Sequence, residues 1–449
     1  MLIFLRLRLI RLLTAFALSG GIGVALLAAS GAAHAVPSFS RQTGSECAAC
    51  HMGGFGLNLT PYGIRFKAGG YVDSDGKGSK LPLALQLLVE NVNPATGPTR
   101  TRLSEANAYL AGQLATEVGG FARVSRRDDG SKLTTTLENM DLRYAHDMRL
   151  NDKSAVVGLS LNNTPGTQDP ISVLPGRGFS VPSTDGTLLN PASSHHLANR
   201  VMGVTAYGFY DDSWYGELGT YRALSTSGQD RLGFDPSGDP GKLSGTGYWR
   251  LAYMKDLKTQ FFSVGLVGLR TDRQLNRSGP SDRINDLGFD LSYQFLGTRE
   301  HMAQVRYANI LERRNYGSTP ASPFVPGLFA NSTGRSHDQS LVMTYVYQQT
   351  YGLTFARLIG TAEEDAVRFL PFGKPDTHST FIEASWVPFG KEDSWATPWA
   401  NMRLSAGWFK FSKFNGSETD IFGSNFGSGA PLTNAKDLNQ FTIALRTAF

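Results

Sequence analysis

From Pro82 to its last residue the chain is written in a two-residue period. Leu287, Phe289, Leu291, Tyr293 and Phe295 alternate with Gly288, Asp290, Ser292 and Gln294. Met402, Leu404, Ala406 and Trp408 alternate with Arg403, Ser405 and Gly407, and Trp249, Leu251 and Tyr253 with Tyr248, Arg250 and Ala252. Such a period gives a strand one apolar and one polar face, and a helix of 3.6 residues per turn cannot use it. The pattern recurs at intervals of roughly 20 to 30 residues. It predicts about sixteen strands, at 84–90, 103–111, 119–127, 134–147, 153–162, 198–210, 213–224, 245–256, 258–270, 284–295, 299–311, 337–348, 351–362, 378–388, 399–413 and 437–449.

The links between these strands carry a parity. After the sixth, eighth, tenth and twelfth they are tight: Asp211-Asp212, Leu257, Leu296-Gly297-Thr298 and Gln349-Thr350. After the fifth, seventh, ninth, eleventh, thirteenth and fifteenth they are long and polar. Bacterial outer-membrane barrels have short periplasmic turns and long outer loops, so both barrel ends are expected on the periplasmic side and the long loops outside the cell. A soluble propeller would show a repeated blade motif, and none is visible. Charged residues are 18%, below the usual ~25%. No stretch after residue 35 has the ~20 apolar residues of a membrane helix. Phe209, Tyr210, Trp214 and Tyr215 crowd one short turn, as an interfacial aromatic girdle would, and the final alternating strand Gln440 to Phe449 ends on phenylalanine. The expected fold is therefore all-β: an antiparallel, transmembrane β-barrel of about sixteen strands spanning 82–449.

Two features precede it. Arg6, Arg8 and Arg11, the apolar run Leu12 to Ala29, and Ala33-His34-Ala35 read as an export signal at 1–35 with a small-residue cleavage site. Without the three signal arginines the chain holds 40 basic residues against 38 acidic ones, which excludes a nucleic-acid footprint. Residues 36–81 then carry Cys47-Ala48-Ala49-Cys50-His51, the C-x-x-C-H pattern of c-type haem attachment. Each thiol can form a thioether to a haem vinyl group, and His51 can be the proximal ligand of the iron. These are the only two cysteines, so one covalent haem c uses them all. A dithiol redox motif would sit in a βαβ pattern, and a zinc site would need a second ligand pair; neither is present. After the motif, Thr60 is placed as an N-cap, Pro61 at the first helical position, and Gly69-Gly70 as a stop. A segment of ~45 residues is near the size at which a domain needs a cofactor or partner to fold, so a partly helical plug leaning on the barrel is expected.

The stretch Val36 to Gly44, the C-A-A-C-H pentad, and Leu59 to Lys67 with Gly70-Tyr71 resemble the fused monohaem cytochrome–porins of the outer membrane of iron-oxidising bacteria. The resemblance covers 36–71 in motif and the barrel in architecture only. It implies a small cytochrome plugging a sixteen-stranded porin and an electron-transfer oxidoreductase that oxidises extracellular Fe(II). It also implies a periplasmic c-type cytochrome as acceptor. The alternatives are a haem-plugged porin drawing on another extracellular donor, and a diffusion porin with a structural haem segment.

Met52 follows His51 directly and cannot easily reach the opposite ring face; the sixth haem ligand stays open among Met140, Met148, Met202, Met254, Met302, Met343, Met402, His146, His195, His196, His301, His337 and His378. Met343 reads as lipid-facing, and Met140, Met254 and Met402 do not read clearly inward. Arg123, Arg143, Arg250, Arg306, Arg357, Arg403 and Arg446, with Asp141, Asp290 and Glu383, are expected on inward faces, holding plug and haem propionates or lining an ordinary hydrated lumen. The outer loops are expected to present Asp169, Asp185, Asp230, Asp235, Asp239, Glu363, Glu364, Asp365, Glu418 and Asp420 as hard oxygen donors for Fe(II). His195 and His196 point to opposite faces if they lie on a strand; in a loop they can converge.

Overall fold

In the computed structural model, residues 36–449 are described except 79 and 176–179. The expected export signal at 1–35 lies outside the described residues. The two-residue period becomes sixteen antiparallel strands: β1 (Leu83–Pro94), β2 (Arg100–Ala115), β3 (Val118–Asp128), β4 (Leu133–Leu150), β5 (Lys153–Asn162), β6 (Val201–Tyr210), β7 (Trp214–Ala223) and β8 (Lys242–Asp256). They continue with β9 (Gln260–Gln274), β10 (Asp282–Phe295), β11 (His301–Asn315), β12 (Thr333–Tyr347), β13 (Tyr351–Ala362), β14 (Thr377–Trp386), β15 (Asn401–Lys413) and β16 (Gln440–Ala448). Each pairs with its chain neighbours, and β1 pairs with β16 to close the barrel. Leu85 and Phe449 exchange backbone hydrogen bonds of 3.0 and 2.8 Å at that seam. Closure leaves no unpaired strand edge, the condition for a sheet to cross lipid.

Alternation sorts the side chains. On β10, Leu287 to Phe295 stand outward, 38–57% exposed, while Asp286, Asp290, Ser292 and Gln294 are buried inside. The same apolar exterior recurs on Leu85, Leu87 and Val89 of β1, and on Leu404 and Trp408 of β15. A belt of this extent suits hydrocarbon and not water, so the chain is a transmembrane β-barrel. Met343 is outward as expected, but Met254 is inward and buried. The aromatic turn also divides differently. Trp214 is exposed, whereas Phe209 and Tyr215 are buried against the plug with Ile64 and Ala68. Adjacent strand residues face opposite sides, so only half of that quartet can belong to a girdle.

At the end that carries the termini the links are mostly tight, with left-handed pairs such as Asn151-Asp152 and Asp211-Asp212. Two consecutive positive φ values fit the twist of a hairpin. The link 387–400 is an exception and reaches the plug, where Val387 packs on Phe55. At the far end the connection 163–200 is not an outer loop. It folds into the lumen, burying Ile171, Val173, Leu174, Leu188, Leu189 and Leu197. Successive backbone N–H groups of Thr187, Leu188 and Leu189 donate to Asp338, Glu312 and Asp286 on β12, β11 and β10, at 2.7, 2.7 and 3.1 Å.

The plug contains α1 (Pro37–Thr43), α2 (Cys47–Cys50) and α3 (Pro61–Ala68). As expected, Thr60 caps α3 through its side chain, Pro61 opens it, and Gly69 ends it. Phe39, Phe66 and Tyr71 pack with Phe121 of β3. Tyr207 of β6 donates to the Ala68 carbonyl at 2.8 Å, and Gln294 of β10 to the Leu59 carbonyl at 2.7 Å. A segment too small to fold alone is thus completed by the inner wall.

Candidate haem site

The short helix α2 brings Cys47 and Cys50 to one side of one turn, and the His51 N–H closes the turn on the Cys47 carbonyl at 3.0 Å. His51 then bridges to Leu59 in a two-stranded contact, and the Thr60 N–H donates to the Cys50 carbonyl at 3.0 Å. The motif and α3 are therefore one folded unit. Asn401, buried at the start of β15, fixes it to the wall by donating to the Gly54 carbonyl at 2.7 Å. Gly54 has φ +66°, and a Cβ there would lie 2.3 Å from the Gly390 carbonyl oxygen, so the link 387–400 meets the plug at a glycine–glycine contact.

Cys47, Cys50 and His51 face a single cavity with about 1050 Å³ of atom-free space, its open mouth included. From the plug it is bounded by Phe39, Leu57, Leu59, Phe66, Lys67 and Tyr71, from β3 by Phe121, and from the inward loop by Gly166, Thr167, Ser172 and Leu174. Mostly apolar walls with a few placed polar groups are what a cofactor pocket needs.

The residues fit a covalently bound haem. Burial pushes the thiols of Cys47 and Cys50 up, to about 11 and about 12, Cys47 adding to the effect at Cys50. Neither is held as a reactive thiolate, which argues against a dithiol redox pair. Burial drives His51 down to about 4, with a backbone interaction at Gly56 opposing it, so the imidazole is neutral at neutral pH. Its Nδ1 is shielded from solvent without a hydrogen-bond partner. A neutral imidazole with an unused nitrogen beside two thiols is a donor set for haem iron. Cys47 and Cys50 would tether the group and His51 would ligate it.

Six of the seven arginines are inward where the alternation put them, and none of the seven lines this cavity. Arg357 is a correction: on β13 it alternates with the buried inward residues Ala356 and Leu358, so it stands on the outward face with Leu353, where it donates to the Thr380 hydroxyl at 2.9 Å. Arg143 joins plug, loop and wall: it donates to the Lys67 carbonyl at 3.0 Å, to the Gln168 carbonyl, and to Asp141 at 2.9 Å. Asp141 in turn accepts from the Tyr71 hydroxyl at 2.7 Å. Arg250 pairs with Asp290 and, at 3.5 Å, with Asp169 of the loop. Arg306 donates to the Ser172 carbonyl at 3.0 Å. Arg123 pairs with Glu138, and Arg403 with Glu383. The basic side chain that does border the cavity is Lys67, which the alternation of strands had no means to find.

The expected acidic loop surface is met in half: Asp230, Asp235, Glu363, Glu364 and Glu418 are exposed, and the other five are corrected. Asp169 is fully buried in the lumen, and Asp185 pairs there with Arg314. Asp239 pairs with Arg277, Asp365 with Arg368, and Asp420 caps the Ser424 and Asn425 N–H groups. Among the described residues no group of three or more His, Cys, Asp or Glu side chains is placed to hold a metal ion. His195 is turned to the Asp239 carbonyl, 2.9 Å from Nδ1.

No protein-family model and no curated protein matches the chain. Among solved structures it is similar to in-vitro folded OmpT, an outer membrane protein of Vibrio cholerae, at 14% identity over 84% of this chain and 100% of that one, TM-score 0.44. It is also similar to Salmonella typhi OmpF in complex with daunomycin (10% identity, 82% and 97% covered, TM-score 0.43) and to an anion-selective porin from Comamonas acidovorans (11%, 82% and 98%, 0.42).

Proposed function

We propose that the protein is an electron conduit of the bacterial outer membrane. In this reading Cys47, Cys50 and His51 would hold one covalent haem inside the barrel, and the protein would carry electrons from an extracellular donor to a periplasmic c-type cytochrome. Extracellular Fe(II) is the donor implied by the resemblance of residues 36–71. The reading is supported by one arrangement: Cys47, Cys50 and His51 share a cavity in the barrel interior, bounded by a plug at the terminal end and a folded-in loop toward the far end. The terminal end is the periplasmic one in this reading, as short-turn ends of such barrels are.

When bound, the haem supplies reversible one-electron transfer. The chain does the rest. Cys47 and Cys50 would hold the group, His51 would ligate its iron, and Lys67 brings positive charge to the edge of the cavity. Phe39, Phe66 and Leu174 exclude water from part of its wall. The hydrocarbon core is ~30 Å thick, and a redox centre inside a barrel shortens that gap from both sides. Oxidising Fe(II) at neutral pH yields insoluble ferric oxide, and a conduit leaves that product outside.

A haem stain of the mature chain after denaturation, followed by reduction of the detergent-solubilised protein with Fe(II), tests this. The expected result is a coloured band and a c-type spectrum that becomes reduced. Bound haem that Fe(II) leaves oxidised rejects iron as donor; a colourless band rejects the conduit.

One observation favours a porin reading as well. Two further gaps, of about 680 and 460 Å³ with their open mouths included, share Phe381 and Glu383: the first lies between the plug and β12–β15 and is edged by Arg403, the second lies along β14–β16 and Glu90 of β1 and is edged by Arg446. A charged passage beside the plug suits diffusion of small solutes. Single-channel conductance separates the two: a conduit passes little ion current, and a diffusion porin passes a steady one.

A further inference from the structure

We infer that the cavity offers the haem only one protein ligand, and that its other axial face is a binding site for a small exogenous ligand: carbon monoxide on the reduced iron, cyanide on the oxidised iron. This rests on the haem reading above.

A sixth protein ligand needs a lone pair on sulfur, nitrogen or an ionised oxygen. Among the described residues, no methionine and no histidine other than His51 borders the cavity. Met52 is packed away with Met302 and Val346, and Met254 lies with Ile64 and Ala68 in a separate cluster. Three other side chains on the cavity wall carry a donor: Glu46, Tyr71 and Lys67. Glu46 directly precedes Cys47 at the start of the tethering turn α2, on the same element as the thiols and His51. A spectrum that turns from low-spin to high-spin in E46Q would overturn the inference by making Glu46 the ligand. The other two are engaged. The Tyr71 hydroxyl donates to Asp141. Lys67 Nζ donates to the carbonyls of Thr167 and, at 2.8 Å, Asp169. An ammonium held by two carbonyls has no lone pair to give a metal.

A second, independent observation points to a ligand. The Thr167 side chain is buried, borders the same cavity, and leaves Oγ1 shielded from solvent without a hydrogen-bond partner. A buried orphan hydroxyl costs about 1–3 kcal/mol unless something satisfies it. A small polarised ligand inside the cavity would, with the hydroxyl donating to it. The inward loop thus supplies both a cover of the site and a free polar contact.

The experiment uses the purified haem-loaded protein in detergent. Reduced protein is titrated with carbon monoxide, with the absorption spectrum and the C–O stretching frequency as readouts. The expected result is a high-spin reduced spectrum, saturable binding with a shifted main band, and a changed C–O frequency in T167V with binding retained. A low-spin spectrum that carbon monoxide leaves unchanged overturns the inference alone. A low-spin spectrum that turns high-spin in K67A also overturns it, by making Lys67 the sixth ligand. An unchanged C–O frequency in T167V removes Thr167 from the site and overturns that part of the assignment. A chain without covalent haem overturns the inference together with the conduit reading.

Discussion

Gly63 lies against the carbonyl of Cys50 so closely that a Cβ on Gly63 would stand 2.4 Å from that oxygen. The first turn of α3 is therefore seated on the last peptide of the haem motif. A methyl group in this place forces the two elements apart, at a cost of about 1–3 kcal/mol. Gly63→Ala should lower the fraction of chains that carry haem and expose residues 36–81 to protease, with the barrel still resistant to heat in detergent. Haem staining and limited proteolysis measure both, and full haem loading in G63A contradicts the packing described.

Arg143 and Asp141, neighbours on one face of β4, are both buried and carry the plug between them. Removing one partner of such a pair strands the other charge, which costs about 3–5 kcal/mol, whereas replacing both with apolar groups costs much less. Arg143→Leu should release the plug at a lower temperature or denaturant concentration than the parent. The double variant R143L/D141L should recover most of that loss. Tryptic release of residues 36–81 against urea concentration reads both; equal losses in single and double variants would mean that the pair does not hold the plug.

How far these elements were legible beforehand differs by element. The strands were, because a slip of one residue turns a whole apolar row such as Leu287 to Phe295 from lipid to lumen. The cap of α3 was, because Thr60, Pro61 and Gly69 act within one or two turns of chain. The inward fold of 163–200 was not, because its partners Asp286, Glu312 and Asp338 lie on strands far along the sequence, and a polar loop looks alike inside and outside. A signal was present all the same: Ile171, Val173, Leu174, Leu188 and Leu189 are too apolar for a solvated outer loop. The split of Phe209 and Tyr215 from Tyr210 and Trp214 follows from the period itself. Lys67 and Thr167 needed the fold, since nothing local says that α3 and the loop meet.

The three carboxylates that receive the loop act as a latch. Asp338 accepts from both the Thr187 N–H and the Asn190 side chain, at 2.7 and 3.1 Å. Asp338→Ala takes away the Oδ2 that accepts both bonds and leaves a buried N–H unsatisfied, a loss of about 1–3 kcal/mol. The loop should then spend more time withdrawn from the lumen. In planar bilayers D338A should show larger or more frequent current steps than the parent, and a surface variant such as E364A should not. Identical current records for D338A and the parent would mean that the latch does not hold the loop.

The same loop should respond to acid. Burial, with Arg200 and His195 adding like charge, pushes His196 down from 6.5 to about 3, and its Nδ1 is shielded without a partner. A base whose folded pKa is depressed binds fewer protons folded than unfolded. Its contribution is therefore complete above pH 6.5 and is lost progressively as pH falls from there toward 3. The loop should loosen over that window, seen as rising conductance or faster proteolysis within 163–200. The carboxylates Asp286, Glu312 and Asp338 also take up protons in acid and weaken the latch, so the comparison with His196→Gln isolates the imidazole. H196Q keeps a neutral polar group and should show a smaller acid response than the parent across that window, the difference being the share of the imidazole. A parent and an H196Q variant with superimposable pH profiles would assign the whole acid response to the carboxylates.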